Sequence, residues 1–142
     1  MKYPIAELWV ARSTDGGRTF SAPVRVNEKP KTAPESLHGM AGAGSGEAHV
    51  AWLDIRHRQK GHDLYYSKVT DGKPGKNLKI GTTLCECCAP GISLDGAGNP
   101  VVVWRDGATR DNRPIWISRS SDGGKSFSPP QKLNQVETRV AG

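Results

Sequence analysis

Two segments of this chain are near-copies of each other, and that repetition restricts its fold more than any other feature. Leu8-Trp9-Val10-Ala11-Arg12-Ser13-Thr14-Asp15-Gly16-Gly17-Arg18-Thr19-Phe20 aligns without gaps on Ile115-Trp116-Ile117-Ser118-Arg119-Ser120-Ser121-Asp122-Gly123-Gly124-Lys125-Ser126-Phe127. The match runs on through Ser21 and Ser128, Pro23 and Pro130, and Asn27 and Asn134. A decayed third copy, Leu64 to Lys73, keeps Asp71-Gly72 but carries Val69 and Lys73 where the others have Ser and the second Gly. A separate pattern, Ala43 to Trp52, returns as Asp95 to Trp104.

The repeating unit is therefore about fifty residues long, within the range of β-propeller blades, whose units bury their apolar faces only against one another. Local patterning agrees. Short β-branched and aromatic runs lie between Gly, Asn and Asp clusters, and no stretch sustains a helical apolar period. Each unit reads as strand A (39–43; 91–95), a Gly-rich hairpin, and strand B (48–53; 100–105). A long loop then leads to strand C (63–69; 114–120), an Asp-Gly turn and strand D (77–80; 131–134). The N-terminal stretch supplies only C (7–13) and D (23–26). The expected fold class is all-β: a partial β-propeller of about two and a half four-stranded antiparallel blades. Its divisions are a half blade at 1–35, a blade at 36–85 and a blade at 86–142, together one domain. Trp9 and Trp116 share a C-strand slot, and Trp52 and Trp104 share a B-strand slot. Aromatic residues recurring in register with the unit read as inter-blade core.

The pattern Ser-x-Asp-Gly-Gly-x-Ser/Thr-Phe has a structural logic. Glycines accept positive φ in the turn, the Asp carboxylate caps the turn's own N–H groups, and the hydroxyl adds to this. Phe20 or Phe127 is expected to tuck between neighbouring sheets. The residues in this role are Ser13, Asp15, Gly17 and Phe20, then Asp71, then Ser120, Asp122, Gly124 and Phe127. A calcium loop needs alternating oxygen ligands that Asp15-Gly16-Gly17-Arg18 does not supply. Ser13 to Phe20 and Ser120 to Phe127 resemble Asp-boxes, the bacterial neuraminidase repeats of sialidase-like β-propellers. Leu84-Cys85-Glu86-Cys87-Cys88-Ala89-Pro90, with Trp104-Arg105-Asp106 and Arg110-Asp111 downstream, is similar to segments of bacterial exo-sialidase-like proteins. The resemblance implies a propeller scaffold, a carbohydrate ligand and, in a completed ring, exo-sialidase-type glycoside hydrolysis. The chain departs from that family in two ways: it has no Arg-Ile-Pro motif, and no Tyr–Glu pair is assignable as nucleophile and partner. Glycan binding without independent catalysis is the expectation.

In blade topology the Asp-Gly turns share one face with the A–B hairpins, and the B–C and D–A loops share the other. That second face collects Asp54, Arg56, His57, Arg58, His62, Arg105, Asp106, Arg110, Asp111 and Arg113, with His38 nearby. Arginine forks match carboxylates, so Asp54, Arg56, His57, Arg105, Asp106, Arg110 and Arg113 are the candidate ligand-binding residues. Asp54/Arg56 and Arg105/Asp106 also read as salt-bridged strand ends duplicated with the unit. No cofactor is expected. Cys85, Cys87 and Cys88 leave three readings open: a small disulfide, a soft-metal site completed by other ligands, or buried free thiols.

Twenty Lys and Arg against 14 Asp and Glu give a net charge of +6, favouring anionic partners in general. Without a basic run or interleaved stacking aromatics, the charge does not point to nucleic acid. No apolar run reaches the ~20 residues of a membrane helix. The start, Met1-Lys2-Tyr3-Pro4, lacks a signal pattern, so a cytoplasmic location is expected unless an export signal precedes it. Because end blades would expose apolar faces, the expected partners are a second copy, a dimer being favoured, or the rest of a larger propeller, with an acidic carbohydrate as ligand. A non-enzymatic interaction scaffold and a thiol- or metal-binding propeller are the alternative functions.

Overall fold

The structure is a computed structural model that describes residues 6–34, 37–108 and 113–134. It is all-β, with several antiparallel sheets, none of them closed on itself. Sheet I pairs β1 (Trp9–Val10) with β2 (Val24–Arg25). Sheet II holds β3 (His38–Ala43), β4 (Glu47–Asp54), β5 (His62–Thr70), β6 (Lys73–Pro74) and β7 (Leu78–Leu84), with β6 and β7 both pairing β5. Sheet III runs β8 (Gly91–Leu94), β9 (Pro100–Arg105), β10 (Ile115–Arg119) and β11 (Gln131–Lys132) in chain order. A single 3₁₀ turn, Arg58–Lys60, interrupts the loop between β4 and β5. The expected A-B-C-D strand sequence is thus present twice, preceded by a C-D pair.

Alternation along β4 and β5 explains why the sheets stack. Val50, Trp52, Tyr65 and Val69 face sheet I and pack with Val26, Ala33, Leu8 and Val10. Ala51, Leu53, Leu64 and Tyr66 face sheet III and pack with Ile80, Leu84, Val102 and Trp104. Sheet II is therefore apolar on both faces, and Trp52, Leu53, Leu64 and Tyr66 are all at most 1% exposed. Burial of each such side chain stabilises the fold by about 1.5–3 kcal/mol. Trp52 and Trp104 occupy equivalent core positions, as their shared register implies.

The two Ser-x-Asp-Gly-Gly corners fold alike. Ser13 Oγ donates to Asp15 Oδ1 at 2.8 Å and accepts from Gly17 N at 2.8 Å. Asp15 Oδ1 accepts from Arg18 N and Thr19 N at 3.1 and 2.9 Å, and Thr19 Oγ1 donates to Asp15 Oδ2 at 2.6 Å. Ser120, Asp122, Gly124 and Ser126 repeat this network. Bonds from the Thr19 hydroxyl and N–H hold the Asp15 carboxyl down at about 2, and Ser126 does the same for Asp122. At the base of each corner an asparagine side chain accepts from the strand opposite, Leu8 N to Asn27 Oδ1 and Ile115 N to Asn134 Oδ1.

Three details differ from expectation. Phe127 packs edge-on against Tyr66 at 4.7 Å, but Phe20 is 65% exposed, because sheet I carries no further sheet on its outer side among the described residues. The decayed corner shrinks to a tight Thr70-Asp71-Gly72-Lys73 turn with both central φ angles positive, 51° and 79°. There Asp71 pairs with Arg12 of the preceding unit instead of capping a longer loop. Finally, the last strand of sheet II runs on to Leu84, past the expected end at Ile80, through register shifts between His62 and Tyr65 on its partner β5.

Gly17 and Gly124 adopt nearly the same φ, +88° and +93°, in otherwise equivalent corners, but only Gly124 would drive a Cβ into a neighbour, the Tyr66 phenol. Gly17→Ala is expected to cost about 1 kcal/mol and Gly124→Ala about 3 kcal/mol or more, read from urea unfolding midpoints. The depressed Asp15 and Asp122 carboxyls stabilise the fold above the ordinary carboxylate pKa. That contribution disappears as pH falls through their folded values, so both should titrate near pH 2 by NMR.

Candidate functional site

The register of sheet II separates two ends. Glu47 pairs with Thr70 at the corner end, and Asp54 pairs with Asp63 at the other. The described candidate ligand-binding residues, all but Arg110, lie at the second end, in two clusters.

The first cluster, at the junction of sheets I and II, is internally neutralised. Asp54 is fully buried and accepts from Arg56 N, Nε and Nη2, each at 2.8 Å. It also accepts from Thr32 Oγ1 and Trp52 Nε1, each at 3.0 Å. The Arg56 guanidinium lies 3.7 Å from the Tyr65 ring centroid and donates to Asn77 Oδ1. The Nε and Nη2 donors of Arg56 are taken by Asp54 and Asn77, so that edge of the guanidinium holds a strand end together. Beside it, half-exposed His57 meets Asp63 at 2.8 Å, and Lys79 meets the same carboxylate oxygen at 3.1 Å.

The second cluster, at the junction of sheets II and III, is different. The end of β7, past its bulge, pairs Leu84 with His62 of β5 and also bridges Leu84 to Asp106. Cys85 N donates to Arg105 O, and Gly107 N donates to Thr83 O. The backbones approach so closely that a Cβ on Gly107 would stand 2.3 Å from Leu84 O. This stitch brings the cysteine loop beside Arg105 and Arg113. Asp106 is spoken for by Trp116 Nε1 and Ala108 N. Arg105 and Arg113, in contrast, meet sulfur: Arg113 Nη1 donates to Cys85 Sγ at 3.3 Å, and Arg105 Nη1 approaches Cys88 Sγ at 4.0 Å. Arg110 and Asp111 lie outside the described residues.

The cysteines form a tight turn closed by Cys88 N donating to Cys85 O. Cys85 is buried, Cys88 half-buried and Cys87 exposed. Cys85 Sγ lies 2.6 Å from Cys88 Sγ and 3.6 Å from Cys87 Sγ. Burial pushes the Cys85 thiol up, but hydrogen bonds from Cys88 and Cys87 and the Arg113 charge outweigh it and hold it below the ordinary thiol value. Cys88 is pushed up to about 11, first by burial and then by Cys85. All three sulfurs fall within 4.8 Å of one another. Two thiolates sharing an ion at about 2.3 Å each stand about 3.8 Å apart, so the Cys85–Cys88 approach fits a thiol pair better than shared metal ligation. Buried His62, its Nδ1 3.9 Å from Glu86 Oε1, lines the same loop.

At the corner end, the sequence reading missed a buried pair. His49 Nδ1 and Tyr66 Oη are 2.6 Å apart beneath Gly124, and burial lowers the His49 pKa. The only sequence signal was a histidine inside an otherwise apolar strand.

No protein-family model, no curated protein and no solved structure matches this chain.

Removing the Asp54 carboxylate strands a largely buried guanidinium. Asp54→Ala is expected to lower stability by about 3–5 kcal/mol, whereas His57→Ala, at a half-exposed pair, should cost less than about 1 kcal/mol. Urea unfolding of both variants checks the contrast.

Proposed function

We propose that this chain is an Asp-box, sialidase-like β-propeller module that binds an acidic carbohydrate through Arg105 and Arg113 and does not hydrolyse it unaided. One observation carries the reading. Among the described residues these two guanidiniums converge at one strand end with no carboxylate within 4.0 Å, whereas Arg56 is paired with the buried Asp54 carboxylate. A guanidinium without a carboxylate of its own is the group that matches a ligand carboxylate through paired N–H donors. The corners, with their repeated Ser–Asp–Gly networks, support the propeller assignment. Binding without catalysis is favoured by the tyrosines. Tyr65 lies under Arg56, and Tyr66 is buried against His49, so neither is presented to a ligand as a nucleophile.

A scaffold that assembles with a second copy, or with further blades, is supported separately by exposed apolar side chains. Trp9, Phe20 and Met40 are 55%, 65% and 62% exposed, and Leu133 is 54% exposed. Trp9 and Phe20 occupy the positions that Trp116 and Phe127 fill against sheet II, so a further sheet would cover them in the same manner.

Calorimetric titration with a sialoside is expected to show binding that Arg105→Ala and Arg113→Ala each weaken more than about tenfold, with a fluorogenic sialoside left intact. Absence of binding to any acidic sugar overturns the ligand assignment. Light scattering at micromolar concentration should give a mass above that of one chain, and Trp9→Ser should shift it toward the monomer.

A further inference from the structure

The carbohydrate reading leaves the sulfurs unexplained, although both guanidiniums rest on them. Three thiols within one four-residue turn, two of them at 2.6 Å, are an arrangement that a packed core does not require. Non-bonded sulfurs at that separation are already inside their contact distance, and the CxxC turn holds their Cα atoms in place through the Cys88 N to Cys85 O bond. A disulfide needs only a small further closure. The surroundings point the same way. The buried Cys85 sulfur accepts from Arg113, and the more accessible Cys88 sulfur faces Arg105. Guanidiniums beside sulfur stabilise the thiolate, which is the species that exchanges with disulfides.

We infer that Cys85 and Cys88 form a reversible disulfide, and that this bond decides whether Arg113 and Arg105 are free to bind an anion. The oxidant class is a low-molecular-weight disulfide, RSSR. Cys88 passes its proton to the Cys85 sulfur 2.6 Å away and attacks one sulfur of RSSR; a Cys88–SR bond forms, the RS–SR bond breaks, and RS⁻ leaves, taking that proton from Cys85. The Cys85 thiolate, already 2.6 Å away, then attacks Cys88 Sγ and expels the second RS⁻, which is protonated in turn. Two protein thiols and RSSR become one protein disulfide and two RSH. In the reduced protein Arg113 donates to the Cys85 sulfur and favours its thiolate. In the oxidised protein the sulfur is neutral, and the guanidinium loses its internal partner. Exposed Cys87 stays outside the pair and is the built-in control.

The test uses the full chain equilibrated in buffers of reduced and oxidised dithiothreitol, alkylated, and weighed intact. The expected result is alkylation of three thiols in the reduced protein and of Cys87 alone in the oxidised protein, with Cys87→Ser still forming the pair and Cys88→Ser failing to. Three reactive thiols throughout the redox range, or a disulfide linking two chains through Cys87, overturns the inference. The second readout does not involve sugar: the Nε–Hε resonance of Arg113 should move on oxidation in the wild type and stay fixed in Cys85→Ser. An Arg113 resonance blind to oxidation overturns the coupling even if the disulfide forms. The effect on carbohydrate rests on the proposed binding function, and sialoside affinity should be at least severalfold tighter in the oxidised protein. If the disulfide forms and Arg113 responds but neither redox state binds a sialoside, the ligand assignment fails and the switch stands.

Discussion

Sheet II has no outside. Trp52 and Tyr65 press toward sheet I while Leu53, Leu64 and Tyr66 press toward sheet III, so one set of strands supplies half of two cores. A sheet with two apolar faces is stable only between neighbours. The placement of every other element follows from this, including the opposite ends at which the glycine corners and the arginine loops emerge.

Within that stack, polar chemistry divides by whether it closes on itself. The corners satisfy their own N–H groups with Ser13, Asp15 and Thr19, or with Ser120, Asp122 and Ser126. The Asp54–Arg56 pair likewise saturates itself, with Trp52 and Thr32 completing the carboxylate. A buried ion pair this complete fixes geometry and leaves little for a ligand. The junction with sheet III follows the opposite logic. Its aspartate, Asp106, is committed to Trp116 and Ala108, and its arginines lean on sulfur. The equivalent aspartates, Asp54 and Asp106, each accept from a tryptophan and from the N–H two residues on, but the arginines stand at different positions of the unit, Arg56 opposite Ala108 and Arg105 opposite Leu53, and the cysteine loop lies beside only the second.

What the sequence made legible was whatever repeats. Strand order, the Trp52 and Trp104 slots and the separation of corners from arginine loops all followed from a fifty-residue period, because side-chain alternation and turn chemistry are local. What escaped it depends on contacts between units. Arg56 and Arg105 both lie beside an aspartate along the chain, and the pairing of Arg56 with buried Asp54, against the approach of Arg105 to sulfur, is visible only in three dimensions. Phe20 and Phe127 are the same residue in the same motif, yet one is packed and the other exposed, since packing is decided by the neighbouring sheet. The His49–Tyr66 pair left only a polar letter in an apolar run. The bulge that carries β7 across to Asp106 left no mark, because it arises from the fit between two sheets.

That crossing strand has a consequence for how the molecule comes apart. β7 belongs to sheet II along most of its length, and its end is hydrogen-bonded into sheet III through Leu84, Cys85 and Thr83. Separating those two sheets therefore means breaking backbone bonds as well as core contacts. The junction of sheets I and II has one such backbone bond, Ile55 N to Thr32 O, and side-chain contacts such as Asn77 to Val26 O and Arg12 to Asp71. With two backbone bonds against one, and with only two short strands in sheet I, the pair β1–β2 is expected to separate before sheets II and III do, so amide protection rises from β1 to β5.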